Sequence, residues 1–397
     1  MKFVFLDFET FYSSEYSLRK MTPIEYILDP RFEVTLCSFA VDNGDPYWVD
    51  GPDLAAHFAT FDPNDTAFIS HNALFDMCIC AWVYGFVPKL MIDTMSMARA
   101  LVFHKTGRVS LEKVAEYLGI GAKGKTILKV IGMTRQMIID AGLWKDYTEY
   151  GMDDVTLCRG IFRELRPRFP ASEILICDNV IRCAITPTIK LDPNKLALHL
   201  AKVRSQKDLL LAQAMLMGAD GKSDLMSNER FAALLRSAGV EPPTKISKTT
   251  GKSTYAFAKT DEAMIELEEH PNPAVQILVA ARLGHKSTLE ETRTQRLLTI
   301  SQLEIPGRGR GWMPIPLRYS GAHTHRLSGD WSLNMQNLPT RQGNDIRESL
   351  IAPEGFTIVT VDASQIEARV VAWLARCSTL VNAFANEWLK LGGGTVL

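Results

Sequence analysis

Residues 1–10, MKFVFLDFET, begin with a compact run of apolar, β-forming residues. This pattern predicts a buried β-strand. Asp7 and Glu9 are two residues apart, and on a strand that spacing places both carboxylates on one face. Two acids on one face of an apolar strand are costly unless a cation lies between them, and a divalent metal ion is the natural candidate. The alternative is a strand end in solvent, where the two acids share no role.

The composition is that of a globular protein with more than one domain. A chain of 397 residues exceeds one ordinary core, and its 46% hydrophobic and 22% charged content is typical of soluble proteins. The net charge of −1 argues against a generally basic nucleic-acid-binding protein, so polyanion contacts would depend on local patches. Seven scattered cysteines favour a reduced, cytoplasmic protein. The longest apolar run, residues 77–87, is too short to span a bilayer, so no membrane contact is expected.

Two more polar pairs follow at helical spacing. Asn72 and Asp76 are four residues apart after a short apolar strand, and Tyr150 and Asp154 are four apart in a second amphipathic stretch. Residues four apart lie on one face of a helix. Each pair alone fits a capping Asn, a surface Asp or a core Tyr. Their combination with the acids of residues 1–10 indicates a single site.

These three motifs resemble those of the tyrosine-type four-carboxylate 3′→5′ exonucleases, which have a ribonuclease-H-like α/β fold. The likeness covers about the first 165 residues. Order, spacing and residue type agree at three places, which makes it specific. The motifs are Asp7-Phe8-Glu9-Thr10, Asn72-x-x-x-Asp76 and Tyr150-x-x-x-Asp154.

The resemblance implies a catalytic centre with two Mg²⁺ (or Mn²⁺) ions that hydrolyses DNA from its 3′ end. Two-metal hydrolysis of a phosphodiester needs carboxylates to hold both ions. Asp7 would contact both ions, Glu9 and Asp154 would complete one site, and Asp76 would orient the second ion through water. Tyr150 would position the attacking water. The remaining motif residues, which would support the site or contact the nucleotide, are Thr10 and Asn72.

Residues 118–126, LGIGAKGKT, match the phosphate-loop pattern, with Gly119 first and Thr126 last. A phosphate loop follows a buried strand, because its backbone N–H groups must open into a helix. Here the preceding residues, SLEKVAEYLG, have helical spacing, and Gly119 stands where a helix C-cap glycine belongs. We therefore predict a helix, a cap and a basic loop without nucleotide binding. The loop lysines, expected in solvent or against a DNA strand, are Lys123, Lys125 and Lys129.

The middle of the chain is predicted to be helical. Residues 196–217 have long helical periodicity without Pro or Gly. Residues 242–260 are polar, with Tyr255 and Phe257 between lysines. They are either a solvated loop or a tip that contacts DNA phosphates, and we favour the tip. Its lysines are Lys245, Lys248, Lys252 and Lys259.

The last part of the chain contains TIVTVDASQIEARVVAWLA, residues 357–375. It predicts a buried strand that stops at Asp362 and turns into a helix. Together with T-H-R-L-S around Arg326 and Q-N-L-P from Gln336, it resembles family A (Pol I-like) DNA polymerases, most closely the phage-type branch. The family patterns are T-G-R-x-S, Q-N-[LI]-P and D-x-S-x-I-E-x-R.

The second resemblance extends the first to nearly the whole chain. It implies that Asp362 is one of two palm aspartates that hold the polymerase metal ions, and that Glu367 excludes a ribose 2′-OH. Arg326 and Gln336 would contact primer-template DNA. The implied domains are an α/β ribonuclease-H-like exonuclease, a helical thumb-like domain that grips DNA and an incomplete α+β palm. Their residues are 1–168, 169–305 and 306–397.

Some family features are absent from the sequence. His325 replaces the usual glycine before Arg326, and Ala363 replaces an aromatic residue after Asp362. The fingers motif K-x-x-x-N-[FY]-G-x-x-Y-G and the palm H-D-E are missing. The expectation is a chain truncated within the palm that acts as a proofreading exonuclease without self-sufficient synthesis. The alternatives are a polymerase completed by a second polypeptide, and a non-catalytic DNA-binding remnant.

Overall fold

The computed structural model describes residues 1–122, 130–247, 249–338 and 345–390, with side chains up to residue 386. Backbone contacts divide the chain into two compact units, Met1–Ile351 and Ala352–Leu397. No helix in the described ranges is long and apolar enough to cross a membrane. Some predicted residues lie outside the described ranges: residues 123–126 of the phosphate-loop match, the nearby lysines Lys123, Lys125 and Lys129, then Lys248, and Pro339 of Q-N-L-P.

The first unit contains a five-stranded mixed sheet. Its strands are β1 (Lys2–Thr10), β2 (Val34–Val41), β3 (Tyr47–Asp50), β4 (Thr66–Ser70) and β5 (Leu90–Asp93). The order is β3-β2-β1-β4-β5. Strand β1 is antiparallel to β2 and parallel to β4, and β4 is parallel to β5. The predicted strand in residues 1–10 is confirmed as β1, and its apolar residues place it at the centre of the sheet.

Helices cover both faces of this sheet. They are α1 (Pro23–Ile27), α2 (Leu54–Phe58), α3 (Ala73–Trp82), α4 (Thr94–Leu101), α5 (Phe103–Thr106), α6 (Leu111–Tyr117), α7 (Arg135–Asp140) and α8 (Trp144–Leu165). Val4 and Leu6 of β1 belong to the core shared with α3, whereas Phe5 belongs to the core shared with α4, α6 and α8. The period of two along β1 therefore divides its side chains between two layers. The predicted helix before Gly119 is confirmed as α6, and Gly119 has the positive φ of a cap, +69°.

The middle of the first unit is mainly helical. Its elements are α9 (Ala171–Ile185), β6 (Ile189–Leu191), α10 (Pro193–Leu216), α11 (Lys222–Met226), α12 (Asn228–Ser237), β7 (Thr244–Ile246), β8 (Ser253–Tyr255), α13 (Glu262–Glu268), α14 (Pro273–Lys286) and α15 (Leu289–Gln302). The long helix predicted for residues 196–217 is confirmed as α10. The lysine-rich segment 242–260 forms the antiparallel hairpin β7–β8.

The remaining elements are short. In the first unit they are β9 (Trp312–Met313), β10 (Leu317–Arg318), β11 (Ser328–Gly329), α16 (Asp345–Glu348) and β12 (Leu350–Ile351). The second unit contains α17 (Ile366–Leu374) and α18 (Ser378–Lys390). Short 3₁₀ helices occur at Gly51–Asp53, Pro63–Asp65, Arg166–Arg168 and Met335–Asn337. Strand β6 pairs with both β9 and β12.

Packing in the first unit crosses position 168. The Trp82 indole N–H donates to the Ile185 carbonyl at 3.0 Å, and the Trp82 ring lies edge-on to Trp331 at 6.4 Å. These contacts join residues of the first 168 to later ones. The three-domain division at 168 and 305 stays a prediction.

The strand predicted before Asp362 is wrong. Residues 356–363 form no strand, and the exposed fractions of Val359 and Val361 are 70% and 85%. A strand needs a neighbour that pairs its N–H and C=O groups, and no described strand pairs with this segment. The helix predicted after Asp362 is confirmed as α17.

Candidate active site

Three carboxylates converge at the middle of the sheet. Asp7 and Glu9 extend from β1 and Asp154 from α8, and one ligand oxygen from each lies within 4.8 Å of the others. Glu9 and Asp154 are buried, and Asp7 is half-buried. Among the described residues, this is the group of acids able to hold a metal ion. The two-residue spacing in β1 thus produces the shared face that the sequence predicts.

Helix α8 lies unusually close to β2 at Gly151. A Cβ atom at this position would lie 2.5 Å from Ser38 Oγ and 3.5 Å from Leu36 Cδ1. The glycine therefore allows the helix backbone to approach the sheet. Because Gly151 lies between Tyr150 and Asp154, this contact also sets the distance of both functional side chains from β1.

Tyr150 lies buried beside the carboxylates. Burial, and then the charges of Asp154, Glu9 and Asp7, raise the pKa of its hydroxyl well above the ordinary tyrosine value. All of these causes disfavour the phenolate. Near neutral pH the Tyr150 hydroxyl therefore remains a hydrogen-bond donor.

Tyr147 is a second tyrosine of this site that sequence reasoning missed. Its hydroxyl donates to Glu9 Oε2 at 3.4 Å, and the side chain is buried. Burial and then the Glu9 charge raise the pKa of Tyr147. Its position three residues before Tyr150 puts it on the same helix face, and this spacing was the available signal.

Asp76 lies beside β1 and is not part of the three-carboxylate group. Its Oδ1 accepts the Phe8 N–H at 3.4 Å, on the strand residue between Asp7 and Glu9. Burial raises the pKa of Asp76 to about 7, against the opposing effect of the nearby Ser70 hydroxyl and the Phe8 N–H. Its predicted role in orienting a second ion stays a prediction.

Asp93, at the end of β5, was also missed. Its Oδ1 accepts the N–H groups of Asn72 at 3.0 Å and Ala73 at 3.2 Å, and its side chain caps α4 through Met95 and Ser96. The carboxylate thus fixes the turn before α3, where Asn72 has a left-handed φ of +79°. An Asp between an apolar strand and a helix is the signal of such a cap.

The predicted supporting residues lie at the border of the site. The Asn72 side chain is exposed. The Thr10 hydroxyl shares a 2.9 Å hydrogen bond with the Tyr26 hydroxyl.

A cavity of about 370 Å³ opens beside Asn72 and contacts Leu74 and Phe75 of α3. Its cationic lining residues are Arg19, Lys20, Arg99, Arg296 and Arg318. In the part of the chain that the structure describes, the single acid of the lining is Asp330, which pairs with Arg318 at 2.6 Å. The cavity therefore has a surplus of positive charge next to the motif that contains Asp76.

The other predicted DNA contacts do not join the carboxylates. Lys245 forms an ion pair with Asp261 at 2.5 Å, and Lys252 is exposed. Arg326 and Gln336 are exposed in the first unit. Asp362 and Glu367 are exposed in the second unit, and neither belongs to the metal-ligating group of the described residues.

His325 occupies a conformation that favours glycine. Its φ is +60°, and its Nδ1 makes a 2.7 Å hydrogen bond with Ser320 Oγ. Histidine is among the residues that tolerate this region, at some cost relative to glycine. The backbone therefore keeps the shape that a glycine at this position would adopt.

Comparisons with known proteins support the DNA polymerase resemblance that the sequence predicts for the last part of the chain. Residues 197–388 match the model of DNA polymerase family A. This part of the chain is therefore similar to family A DNA polymerases. DNA polymerase I of Chloroflexus aurantiacus is 28% identical over 348 residues, which cover 83% of this chain and 35% of that protein. DNA polymerase I of Pseudomonas aeruginosa is 34% identical over 145 residues, 36% of this chain and 15% of that protein.

Both relatives are much longer than the part that this chain matches. The chain spans 35% of the Chloroflexus aurantiacus protein and 15% of the Pseudomonas aeruginosa protein. A solved POL domain of Pol1 from M. smegmatis, in complex with DNA primer-template and dNTP, has a TM-score of 0.59 and 21% identity. The likeness covers 90% of this chain and 59% of that one. The mixed α/β fold is therefore similar to that of a DNA polymerase domain.

Proposed function

We propose that this chain hydrolyses DNA from its 3′ end with divalent metal ions, as a proofreading exonuclease attached to a family A polymerase region. The observation that carries the proposal is the convergence of Asp7, Glu9 and Asp154 within 4.8 Å beside the buried Tyr150. The sheet order β3-β2-β1-β4-β5, with β1–β3 antiparallel and β4 and β5 parallel to β1, supports a ribonuclease-H-like arrangement.

The donor set fits Mg²⁺ or Mn²⁺. Both are hard ions that prefer oxygen ligands, and three carboxylates supply only such ligands. Buried acids at this separation repel one another, so a cation between them offsets an electrostatic cost. Asp7, Glu9 and Asp154 would hold one ion, and Asp76, beside β1, would support a second.

The roles of the protein side chains follow from their protonation and contacts. When bound, a pair of divalent ions lowers the pKa of water and stabilises the charge that develops on the leaving oxygen. Tyr150 keeps its proton near neutral pH, so it orients water or a phosphate oxygen by donating a hydrogen bond. Tyr147 keeps Glu9 in place through its own hydroxyl.

The substrate end would enter through the cationic cavity beside Asn72. Arg99 donates to the Ser96 hydroxyl and the Met95 sulfur. Arg296 donates to the carbonyls of Trp331 and Ser332. Both guanidinium groups are therefore held by neutral partners. Phosphates of a single strand would then be attracted to both guanidinium groups. The Phe75 ring provides an apolar surface against which a base can stack.

The test is a 20-nucleotide single strand, labelled at its 5′ end in one tube and at its 3′ end in another, with Mg²⁺ or with EDTA. We expect a ladder from the 5′ label and immediate release of labelled mononucleotide from the 3′ label. Both need Mg²⁺. In Asp7→Asn we expect a rate loss of about 100-fold or more. Hydrolysis that persists in EDTA, or equally in Asp7→Asn, would contradict the proposal.

DNA synthesis is a second candidate function, favoured by the family A match at residues 197–388. In this proposal the helical region gives a thumb-like grip, residues from 306 belong to a palm, and Asp362 supplies one metal ligand. In this proposal a second polypeptide that carries the fingers motif completes the polymerase site. The chain is incubated with a primer-template and all four dNTPs, alone and mixed with lysate fractions. Extension only in a mixture is expected, and no extension in any mixture would contradict this proposal.

A further inference from the structure

His71 lies between the end of β4 and the motif residue Asn72, and its ring contacts two other elements. Its Nε2 lies 2.8 Å from the carbonyl oxygen of Val109, in the segment before α6. A carbonyl oxygen only accepts, so Nε2–H is the donor of this hydrogen bond. Its Nδ1 lies 2.9 Å from Oγ1 of Thr94, the first residue of α4. The ring therefore joins the turn before α3 to α4 and to the segment that leads into α6.

Thr94 extends this connection to α8. Its side chain is fully buried. Its hydroxyl donates to the Ser70 carbonyl at 3.2 Å and lies within hydrogen-bond distance of Cys158 Sγ, at 3.6 Å. Cys158 is four residues after Asp154, so both lie on one face of α8. His71, Thr94 and Cys158 thus form a hydrogen-bonded series, which we call the His71 link.

The Cys158 thiol stays protonated within this link. Burial raises its pKa, the hydrogen bond with Thr94 opposes this effect, and the charges of Asp7 and Asp76 raise the pKa further. Near neutral pH the thiol is therefore a weak donor that can bond to Thr94 Oγ1. The effect of the two acids also means that the link ends close to the candidate active site.

The His71 link and Asp93 hold the same turn against different elements. Asp93 accepts the backbone N–H groups of Asn72 and Ala73, which fixes the turn relative to β5. The His71 link fixes the turn relative to α8. Asn72 lines the cationic cavity, whereas Asp154 belongs to the three-carboxylate group. The link therefore spans the wall of the cavity and the metal-ligating group.

We propose that His71 is a positioning residue for strand hydrolysis. Through Thr94 and Cys158 it holds the cavity wall at Asn72 at a fixed distance from Asp154, so that the last phosphodiester of a strand in the cavity reaches the carboxylates. This inference rests on the proposed exonuclease function and adds a residue to it. A misplacement of about 1 Å at a reacting centre can slow a reaction about 100-fold.

Variants of Thr94 test the link in the full chain, with a 5′-labelled single strand and saturating Mg²⁺. Thr94→Val removes the hydroxyl and keeps the shape of the side chain. We expect kcat to fall about 10-fold and KM for the strand to stay within about two-fold, because the cations of the cavity are intact. Thr94→Ser keeps the hydroxyl, so it should retain most of the wild-type rate.

Thr66→Val is the matched control. Thr66 is also buried, and its hydroxyl donates to the Asp62 carbonyl at 2.6 Å, at the opposite end of β4 from Ser70. The same atoms are removed, but away from the link. Both Val variants should lower the urea concentration at the unfolding midpoint, because each loses a buried hydrogen bond. Only Thr94→Val should lower kcat.

His71 variants give an independent readout, which also decides the matter if Thr94→Val does not fold. His71→Asn keeps a polar atom near the position of Nδ1, and His71→Gln keeps one near that of Nε2. We expect His71→Gln to lose more rate, because the Nδ1 contact leads to α8 and the Nε2 contact only to Val109. The losses of His71→Gln and Thr94→Val should be non-additive in the double variant, since both break one link.

A wild-type kcat in Thr94→Val would overturn the inference. So would an equal loss of rate in Thr66→Val, a Thr94→Ser variant as slow as Thr94→Val, or equal rates in the two His71 variants. A wild type that does not shorten the strand would reject the exonuclease proposal, and this inference with it. An active wild type with unaffected Thr94 and His71 variants would reject this inference alone.

Discussion

At the scale of single residues, the candidate site is an arrangement of acids that burial makes costly and a cation makes favourable. Asp7, Glu9 and Asp154 supply the ligands, and two tyrosines on one face of α8 stay protonated beside them. The period of two along β1 makes the first pair predictable from sequence. Asp93 was not predicted, because its role depends on backbone N–H groups that only the folded turn before α3 brings together.

Asp76 gives a pH prediction for the metal-free chain. Burial raises its pKa from 3.8 to about 7. The folded state therefore binds this proton more tightly than the unfolded state, so the contribution of Asp76 to stability is favourable at low pH. It is lost as pH rises from about 4 to about 7. In EDTA, the free energy of unfolding by urea should fall more between about pH 5 and about pH 8 in the wild type than in Asp76→Asn.

The control for this prediction is Asp153→Asn, which removes an exposed acid on α8. It should follow the wild-type pH dependence. Parallel curves for the wild type and Asp76→Asn would show that Asp76 titrates normally.

Tyr147 gives a prediction about positioning. Tyr147→Phe removes the hydroxyl that donates to Glu9 and keeps the ring in the core. We expect hydrolysis to slow by about 10-fold, and the Mg²⁺ concentration for half-maximal rate to rise, because Glu9 is held less firmly. A metal titration of the rate measures both. An unchanged metal requirement would mean that Glu9 does not depend on Tyr147.

At the scale of elements, the close approach of α8 to β2 fixes the positions of Tyr150 and Asp154 relative to the sheet. Gly151→Ala should place its Cβ 2.5 Å from Ser38 Oγ and force a shift. In the Ser38→Ala background that oxygen is gone, and the same change should stabilise the chain by about 1 kcal/mol through helix propensity. Urea unfolding of the wild type, Gly151→Ala, Ser38→Ala and the double variant measures the coupling free energy between the two positions.

Additive effects of Gly151→Ala and Ser38→Ala would contradict the close contact. The sequence predicts α8 from its apolar spacing, but not this approach, because a glycine in a helix does not show which surface it faces. The wrong strand at residues 357–361 has a related cause. Its apolar residues match a strand, yet a strand exists only with a paired neighbour, and periodicity cannot show whether one is present.

At the scale of the whole molecule, the carboxylates and the cationic cavity beside Asn72 belong to the unit Met1–Ile351. A chain of residues 1–351 should therefore fold and hydrolyse DNA at a rate close to that of the full chain. Residues 352–386 expose large apolar side chains, among them Phe356 and Trp373 at 74% and 70%. Their removal should reduce self-association in light scattering. A fragment that is unfolded or inactive would show that the second unit supports the first.

The similarity to family A DNA polymerases could be predicted from the sequence, because the motifs of residues 326–369 are short local patterns. The three motifs of the exonuclease-like part were accessible for the same reason. The convergence of Asp7, Glu9 and Asp154 could not be predicted from the sequence, because Asp154 reaches β1 only through the packing of α8.

The most direct measurement compares Asp154→Asn with Asp153→Asn. Both remove one acid from neighbouring positions of α8, but only Asp154 lies in the three-carboxylate group. A 5′-labelled single strand with Mg²⁺ is followed by gel for the wild type and both variants. We expect the wild type and Asp153→Asn to produce a ladder shortened one nucleotide at a time. We expect Asp154→Asn to leave the strand intact. Equal ladders in all three, or no shortening by the wild type, would contradict it.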